Sequence, residues 1–360
     1  MTTAPAVADF LDLAAVRREV DRTLSQFLSA KTEAAGSAEL PHLVDVLRRF
    51  VSSGGKRLRP LLCVCGWYAA GGGPTLDVAL RAAASLELFH AFALIHDDVM
   101  DGSETRRGQP SAHRALQAVR AGEADSAAAE WFGVSGAILL GDLALVWSDE
   151  LLTSAAMSAE QHQALRPVLD AMRSEVMLGQ YLDLLATGQV TGDLQQAMDV
   201  VRYKTAKYTV ERPLHVGAVL AGGPASVLDT CTAYALPVGE AFQLRDDILG
   251  VFGDPKDTGK SDLDDLREGK RTPLVALAVQ RADERQLFVL KSLLGRPDLD
   301  ADGAAAVRRV FEATGARRRV EEMIKSRYAQ GVNALADAGF PPAVTTALRE
   351  IARAATVRSS

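Results

Sequence analysis

LELFHAFALIHDDVMDGSETRRGQP, residues 86–110, carries the fold and the chemistry in one stretch. Its first half is an apolar segment with helical spacing. It ends in Asp97, Asp98 and Asp101. Positions three and four apart share a helix face, so these carboxylates crowd together and repel. They also sit at a helix C-terminus, the end whose dipole disfavours negative charge. A hard divalent cation resolves both conflicts, because Mg²⁺ takes one or two carboxylates and completes its octahedron with water and phosphate oxygens. Arg106 and Arg107 follow closely and suit bidentate capture of those phosphates. A solvated helix end is the plain alternative for such a short motif. His96, beside Asp97, reads as a packing residue rather than a ligand.

Outward from this stretch, helical periodicity dominates and no alternating strand stands out. Segment 9–30 places Phe10, Leu13, Val16, Val20, Leu24 and Leu28 at three- and four-residue steps. Further helices are predicted over 40–52, 76–101, 127–154, 158–187, 193–221 and 225–252, several apolar on most faces and so suited to a bundle interior. Shorter ones follow at 273–294, 302–313, 316–338 and 342–356. The expected fold is all-α, a single-domain helical bundle over residues 1–360, with its motif-bearing core at about 40–300.

Composition narrows the function. The 360 residues hold 40 Lys and Arg against 46 Asp and Glu, a formal net charge of −6, with 48% apolar and 24% charged residues. That balance is globular rather than disordered. It also lacks the basic excess of a general nucleic-acid binder. The longest stretch without a formal charge, Pro60–Leu76, is broken by Gly71-Gly72-Gly73-Pro74, so no integral membrane segment is expected. Nothing at the N-terminus reads as a secretion signal. Three cysteines make no disulfide framework, and Cys63 and Cys65 read as buried thiols, which places the protein in the cytoplasm.

A second acidic pair, Asp246 and Asp247, ends another apolar helix in GEAFQLRDDILGVFGDPKDTGKSDLDDLREGKRT, residues 239–272. Gln243 lies three residues before it, on the same face. Lys260 and Lys270 lie in the loop beyond. Solvated loop charge is again the plain alternative. Repetition of the design, an apolar helix, an Asp pair at its C-terminal end and a basic loop, favours metal. GGKRLRP, residues 54–60, frees the backbone at a helix boundary and sends Lys56 and Arg59 into a loop. RYKTAKYTVERP, residues 202–213, adds Lys204 and Thr205 at a helix kink or junction.

In this order, GGKRLRP, HDDVMD with RRG, KT, and FQLRDD with GDPKDTGK closely resemble the trans-isoprenyl diphosphate synthases, or polyprenyl synthetases. The resemblance implies a helical bundle in which Asp97, Asp98 and Asp101 face Asp246 and Asp247 across a cavity. Together they hold three Mg²⁺ that bridge the diphosphate of an allylic substrate. It implies that Arg106, Lys204 and Lys260 bind that diphosphate. Lys56, Arg59, His90 and Arg107 match the cluster for isopentenyl diphosphate. Thr205 and Gln243 match residues whose oxygens lie near the developing allylic cation, and Lys270 matches a loop residue that closes over the site. Family membership also suggests a homodimer. One position departs: Gly250 stands where the second motif has its last Asp, with Asp254 and Asp265 as candidates to compensate.

Product length is read from the helix before Asp97. Phe92 lies five residues earlier, about 7.5 Å along the axis at ~1.5 Å per residue. Phe89 shares its face and deepens the floor, with core packing as the alternative. Bulk at Phe92, a small Ala93 and no insertion in DDVMD resemble geranylgeranyl diphosphate (C20) synthases, with farnesyl diphosphate (C15) next. A class I terpene cyclase and an inactive regulatory subunit of a synthase are the remaining alternatives. The N-terminal stretch, residues 121–130 and Arg317–Arg319 receive no functional assignment.

Overall fold

A computed structural model describes residues 11–34, 36–37, 40–120, 122, 125–254 and 263–356. The chain divides into two compact units, Met1–Leu165 with Pro213–Pro224, and Arg166–Arg212 with Ala225–Ser360. Both are all-α among the described residues, apart from one two-residue ribbon in the first.

The first unit contains α1 (Leu13–Glu33), α2 (Leu40–Ser52), α3 (Leu58–Ala69), α4 (Asp77–Met100), α5 (Ala112–Gln117) and α6 (Ser126–Thr153). It also holds the start of α7 (Ala159–Ala186) and nearly all of α9 (Arg212–Leu220). In α1, Val16, Val20, Leu24 and Leu28 form the buried stripe. The helix begins later than position 9, because the Asp12 side chain accepts from the Ala15 N–H at 2.9 Å and caps it there. Phe10 lies outside the described residues. Helix α4 packs on α1, α3 and α6. It is buried along most of its length, which explains its apolar character.

Helix α3 is an element the periodicity did not reveal. Its residues are apolar on every side, so no stripe marks it. Arg59 is consequently the second residue of a helix rather than part of a loop, and Pro60 sits in the first turn, where its missing N–H costs nothing. Cys63, Cys65 and Cys231 are free and buried, as expected of packing thiols.

The second unit continues α7 and adds α8 (Leu194–Val200), a π-helical segment (Val201–Glu211), α10 (Ala225–Phe252) and α11 (Asp264–Glu268). Then come α12 (Pro273–Arg281), α13 (Glu284–Leu293), α14 (Ala301–Ala313), α15 (Ala316–Asn333) and α16 (Pro342–Thr356). Helix α10 is central, packed on the π segment, α15 and α16. Two expected helices are divided. Segment 193–221 becomes α8, the π segment and α9, since π and α turns share an apolar pattern and Pro213 opens α9. Segment 273–294 is cut by a capping box: Gln286 N–H donates to the Asp283 carboxylate at 2.8 Å, and Asp283 N–H to the Gln286 side chain at 3.0 Å.

By length and mean hydropathy, Asp77–Met100 and Ser126–Thr153 are both sufficient to cross a membrane, although neither is an unbroken apolar run. Burial of 67% of the apolar window of Asp77–Met100 identifies it as a core helix; the figure for Ser126–Thr153 is 33%.

Candidate active site

In the first unit, α4 delivers Asp97 and Asp98 in its last turn and Asp101 at its C-cap. Asp98 is fully buried. A buried carboxylate requires a partner. Arg106 supplies it, with Nε donating to Oδ1 at 2.8 Å and Oδ2 at 3.1 Å and Nη2 making a further bond to Oδ1. Asp97 lies 3.7 Å from the same guanidinium. Burial raises the Asp98 carboxyl above its ordinary range, opposed by Arg106 and reinforced by Asp97 and Asp101. Arg106 and Asp98, expected to bind different partners, are thus paired with each other.

The two arginines are presented by a hairpin. Thr105–Arg106 pairs antiparallel with Gln109–Pro110, leaving Arg107 and Gly108 as a two-residue turn. Both have positive φ, 53° and 72°. That is the requirement of a type I′ turn. Glycine meets it freely, whereas a left-handed arginine costs about 1 kcal/mol. Arg107 then donates to the Gly54 carbonyl. A Cβ on Gly55 would come within 3.1 Å of that guanidinium.

His90 lies seven residues before Asp97 on α4 and is half-buried. Burial first, then the charges of Arg59, Arg107, Arg106 and Arg57, hold its imidazole well below the ordinary value, hence neutral. Burial likewise lowers the Arg107 guanidinium; Glu87 opposes the shift, whereas Arg57, Arg106 and Arg59 add to it. Four guanidinium groups act on this neutral imidazole; Arg57 and Arg106 are paired with carboxylates, which leaves Arg59 and Arg107 as the candidate anion-binding groups beside it. Lys56 is exposed at its edge of the loop. Arg57, which the sequence reading did not select, is buried at this cluster and bonded to Glu87.

On the same helix, Phe89 and Phe92 stack obliquely with ring centroids 5.3 Å apart, and Ala93 is half-buried beside them. Phe92 also meets the His96 ring edge-on at 4.9 Å. His96 Nε2 lies 3.0 Å from the Ile138 carbonyl of α6, the packing role expected of it.

In the second unit, Lys204, Thr205, Gln243, Asp247 and Lys270 line one pocket of about 90 Å³, together with Asp183. Lys204 and Thr205 sit in the π segment, a geometry that recurs at functional sites. Lys204 Nζ donates to Asp183 at 2.6 Å. The Thr205 hydroxyl donates to Gln243 Oε1 at 2.7 Å, and Gln243 Nε2 donates to Asp247 Oδ1 at 2.8 Å. Asp247 Oδ2 is buried with no hydrogen-bond partner among the described residues. Burial, with Asp265 and Asp246 adding to it and Gln243 and Lys270 opposing, leaves the Asp247 carboxyl pushed up to about 8. Asp246 is half-buried beside it. Lys270 Nζ meets Glu268 at 2.7 Å and Asp265 at 3.9 Å. Lys260 lies outside the described residues. Asp183 was missed because its partner is set by helix packing, not by spacing.

Gly250 has a structural explanation. A Cβ at this position would overlap the Asp265 carboxylate, whose Cγ lies only 2.8 Å away. Of the two acids considered as substitutes, Asp265 is the one that occupies the place a side chain at 250 would fill.

The polyprenyl synthetase family model matches residues 40–312. A geranylfarnesyl diphosphate synthase from Aeropyrum pernix is 35% identical over 274 residues, 75% of this chain and 78% of that protein. A (2E,6E)-farnesyl diphosphate synthase of Mycobacterium tuberculosis H37Rv is 34% identical over 301 residues, 83% of this chain and 78% of that protein. The crystal structure of a geranylgeranyl pyrophosphate synthase from Corynebacterium glutamicum, complexed with isoprenyl diphosphate and magnesium, matches with a TM-score of 0.92 at 42% identity, covering 97% of this chain and 100% of that one. With an all-α fold and a family match running through every motif above, the chain belongs to the polyprenyl synthetase family and is a prenyltransferase.

Proposed function

We propose that this prenyltransferase condenses isopentenyl diphosphate head-to-tail with dimethylallyl, geranyl or farnesyl diphosphate and stops at geranylgeranyl diphosphate. The pocket of the second unit carries this reading: an ammonium group, a threonine–glutamine oxygen pair and a buried carboxylate short of a cation converge there. The Thr205 hydrogen is committed to Gln243, which leaves the hydroxyl lone pairs available to a developing allylic cation. Arg106, Lys204 and Lys260 are assigned to the allylic diphosphate, and Lys270 to the loop that closes over the site. Lys56, Arg59 and Arg107 are assigned to the isopentenyl diphosphate, where neutral His90 adds a hydrogen bond without adding to their mutual repulsion. As the allylic C–O bond breaks, the new C–C bond forms from the isopentenyl double bond, and the departing diphosphate takes the proton that leaves. No nucleophilic side chain is needed.

The residues fit a divalent cation. Asp247 Oδ2 is a buried donor without a partner among the described residues. Among the same residues no group of three acids, histidines or cysteines is placed to hold a metal ion unaided. Magnesium suits such an arrangement because it takes few carboxylates and fills its shell with water and phosphate. By family resemblance Asp97, Asp98, Asp101, Asp246 and Asp247 would hold it, three ions per site, Asp98 only on release from Arg106. When bound, magnesium neutralises the leaving diphosphate. The magnesium complex of the Corynebacterium glutamicum enzyme supports this assignment.

A homodimer is supported by α6, which leaves Trp131, Leu139 and Val146 exposed at 72%, 65% and 59%, spaced seven or eight residues apart on one face. Free, buried thiols support a cytoplasmic location. A single domain is supported by one family model spanning 40–312. The test is product analysis by mass spectrometry with each allylic starter, isopentenyl diphosphate and Mg²⁺. Geranylgeranyl diphosphate is expected, and Phe92→Ala should lengthen it. Farnesyl diphosphate alone, or an unchanged profile in Phe92→Ala, refutes the product assignment.

A further inference from the structure

Helix α1 precedes the region that the family model matches, and its sequence alone suggests no role. It touches the basic loop at two points one helical turn apart. Arg17 Nη2 donates to the Lys56 carbonyl at 3.2 Å. Asp21 Oδ1 accepts from Arg57 Nε at 2.8 Å. The rest of the Arg57 guanidinium is equally committed, Nη1 to Glu87 Oε2 at 2.8 Å and Nη2 to the Val51 carbonyl at 2.9 Å. Arg57 thereby ties α1, α2 and α4 together. With side-chain exposures of 7% for Arg57 and 5% for Glu87, neither end of that buried pair is presented to a ligand.

What Arg57 controls is the loop around it. Its backbone is left-handed, φ 51°, and it is the N-cap of α3, so its conformation directs Arg59 two residues later. Gly54, three residues earlier, carries the carbonyl on which Arg107 rests. Glu87 shares a face of α4 with His90. We propose that α1, acting through Asp21 and Arg17 on Arg57 and its loop, is a positioning element that pre-shapes the anion site formed by Lys56, Arg59, His90 and Arg107. The assignment rests on the reading of that cluster as the isopentenyl diphosphate site. The three cations of that cluster repel unless fixed, so a loosened loop would splay it and weaken one substrate selectively.

The test compares full-length Asp21→Asn, Arg57→Lys and wild type. Asp21 is 47% exposed, so its pair with Arg57 adds little to global stability and Asp21→Asn stays folded. In Asp21→Asn we expect KM for isopentenyl diphosphate to rise about three- to fivefold. In Arg57→Lys, which breaks a buried pair, the rise should exceed about tenfold. In both, kcat and KM for the allylic substrate should stay within about twofold. Calorimetric binding of inorganic diphosphate to the metal-free protein should weaken in parallel, a readout that does not depend on turnover. If no variant or wild type yields prenyl product, the proposed function fails, and diphosphate binding alone decides the positioning role. Unchanged KM and unchanged diphosphate binding in Asp21→Asn, or equal rises in both KM values, overturn the proposal. Should Arg57→Lys not fold, Asp21→Asn decides.

Discussion

Gly250→Ala tests the second acidic motif with a single methyl group. The Cβ it introduces would lie 2.8 Å from the Asp265 carboxyl carbon and closer still to Oδ2, whereas an ordinary contact begins at 3.4 Å. The Asp265 side chain must therefore rotate its carboxylate away from α10, whose helical backbone cannot yield. A displacement approaching 1 Å in a site of this kind costs on the order of 10²-fold in rate. We expect kcat to fall by about that factor and the Mg²⁺ needed for half-maximal activity to rise. Stability moves the other way, since alanine in a helix interior is favoured over glycine by up to about 1 kcal/mol. The assay is an Mg²⁺ titration of prenyl transfer alongside thermal melts with and without Mg²⁺ and inorganic diphosphate. Wild-type kcat and Mg²⁺ dependence in Gly250→Ala would show that Asp265 does not stand in for the missing carboxylate. A fall in activity that merely tracks a fall in melting temperature would refute the reasoning equally.

Other outcomes follow from the same geometry. The raised Asp247 carboxyl, about 8 when folded against an ordinary 3.8, keeps its proton in the native state while the unfolded chain has lost it. Stability of the metal-free protein should therefore fall as pH rises from about 4 to about 8. Asp247→Asn should remove that decline, raising the melting temperature by several degrees at pH 8 and leaving it unchanged at pH 3.5; superimposable pH profiles would contradict the burial argument. Leu139→Arg, on the exposed face of α6, should convert a dimer to a monomer in sedimentation experiments, and an unaltered sedimentation coefficient would remove α6 from the interface. Cys63, Cys65 and Cys231 are buried, and burial pushes up the thiols of Cys63 and Cys231, so all three should resist a thiol reagent until the protein unfolds; rapid native labelling would contradict their packing.

Most long helices were legible because their apolar patterns ended in strong local signals. Helices α2, α4, α6, α7, α10 and α16 fall within a residue of their expected limits. The failures share a cause. Helix α3 is buried all round and carries no period to detect, and the π segment hides inside an α-like pattern. At the site, the residue types and their order pointed to the two Asp motifs, to Lys204 with Thr205 and to the arginines of GGKRLRP and RRG. The pairings were not legible. Asp98 with Arg106, Lys204 with Asp183 and Arg57 with Glu87 arise where helices distant in sequence meet, and no local rule encodes them. Gly250 looked like a defect in the sequence because the Asp265 carboxylate that fills its place lies fifteen residues downstream and reaches it through contact rather than pattern.

The direction in which a charged group is perturbed shows whether its counter-charge lies within the protein. Glu175 illustrates the first kind: Lys207 and Arg212 both donate to it, at 2.6 and 2.7 Å, and against the cost of burial they hold its carboxyl below the ordinary value. Arg57, between Glu87 and Asp21, is stabilised in its charged form in the same way. These groups have their counter-charges within the protein, and nothing further is required of them. His90 and Arg107 are shifted against their charged forms, and so is Asp247. Each is partly or wholly buried, and among their neighbours like charges work against the charged form. Sequence composition cannot expose this difference, because Arg107 and Asp247 enter the net charge of −6 with the same weight as Arg57 and Glu175. Groups perturbed in this way cluster at functional sites. The function proposed above would bring a diphosphate to Arg107 and neutral His90 and a divalent metal ion to Asp247.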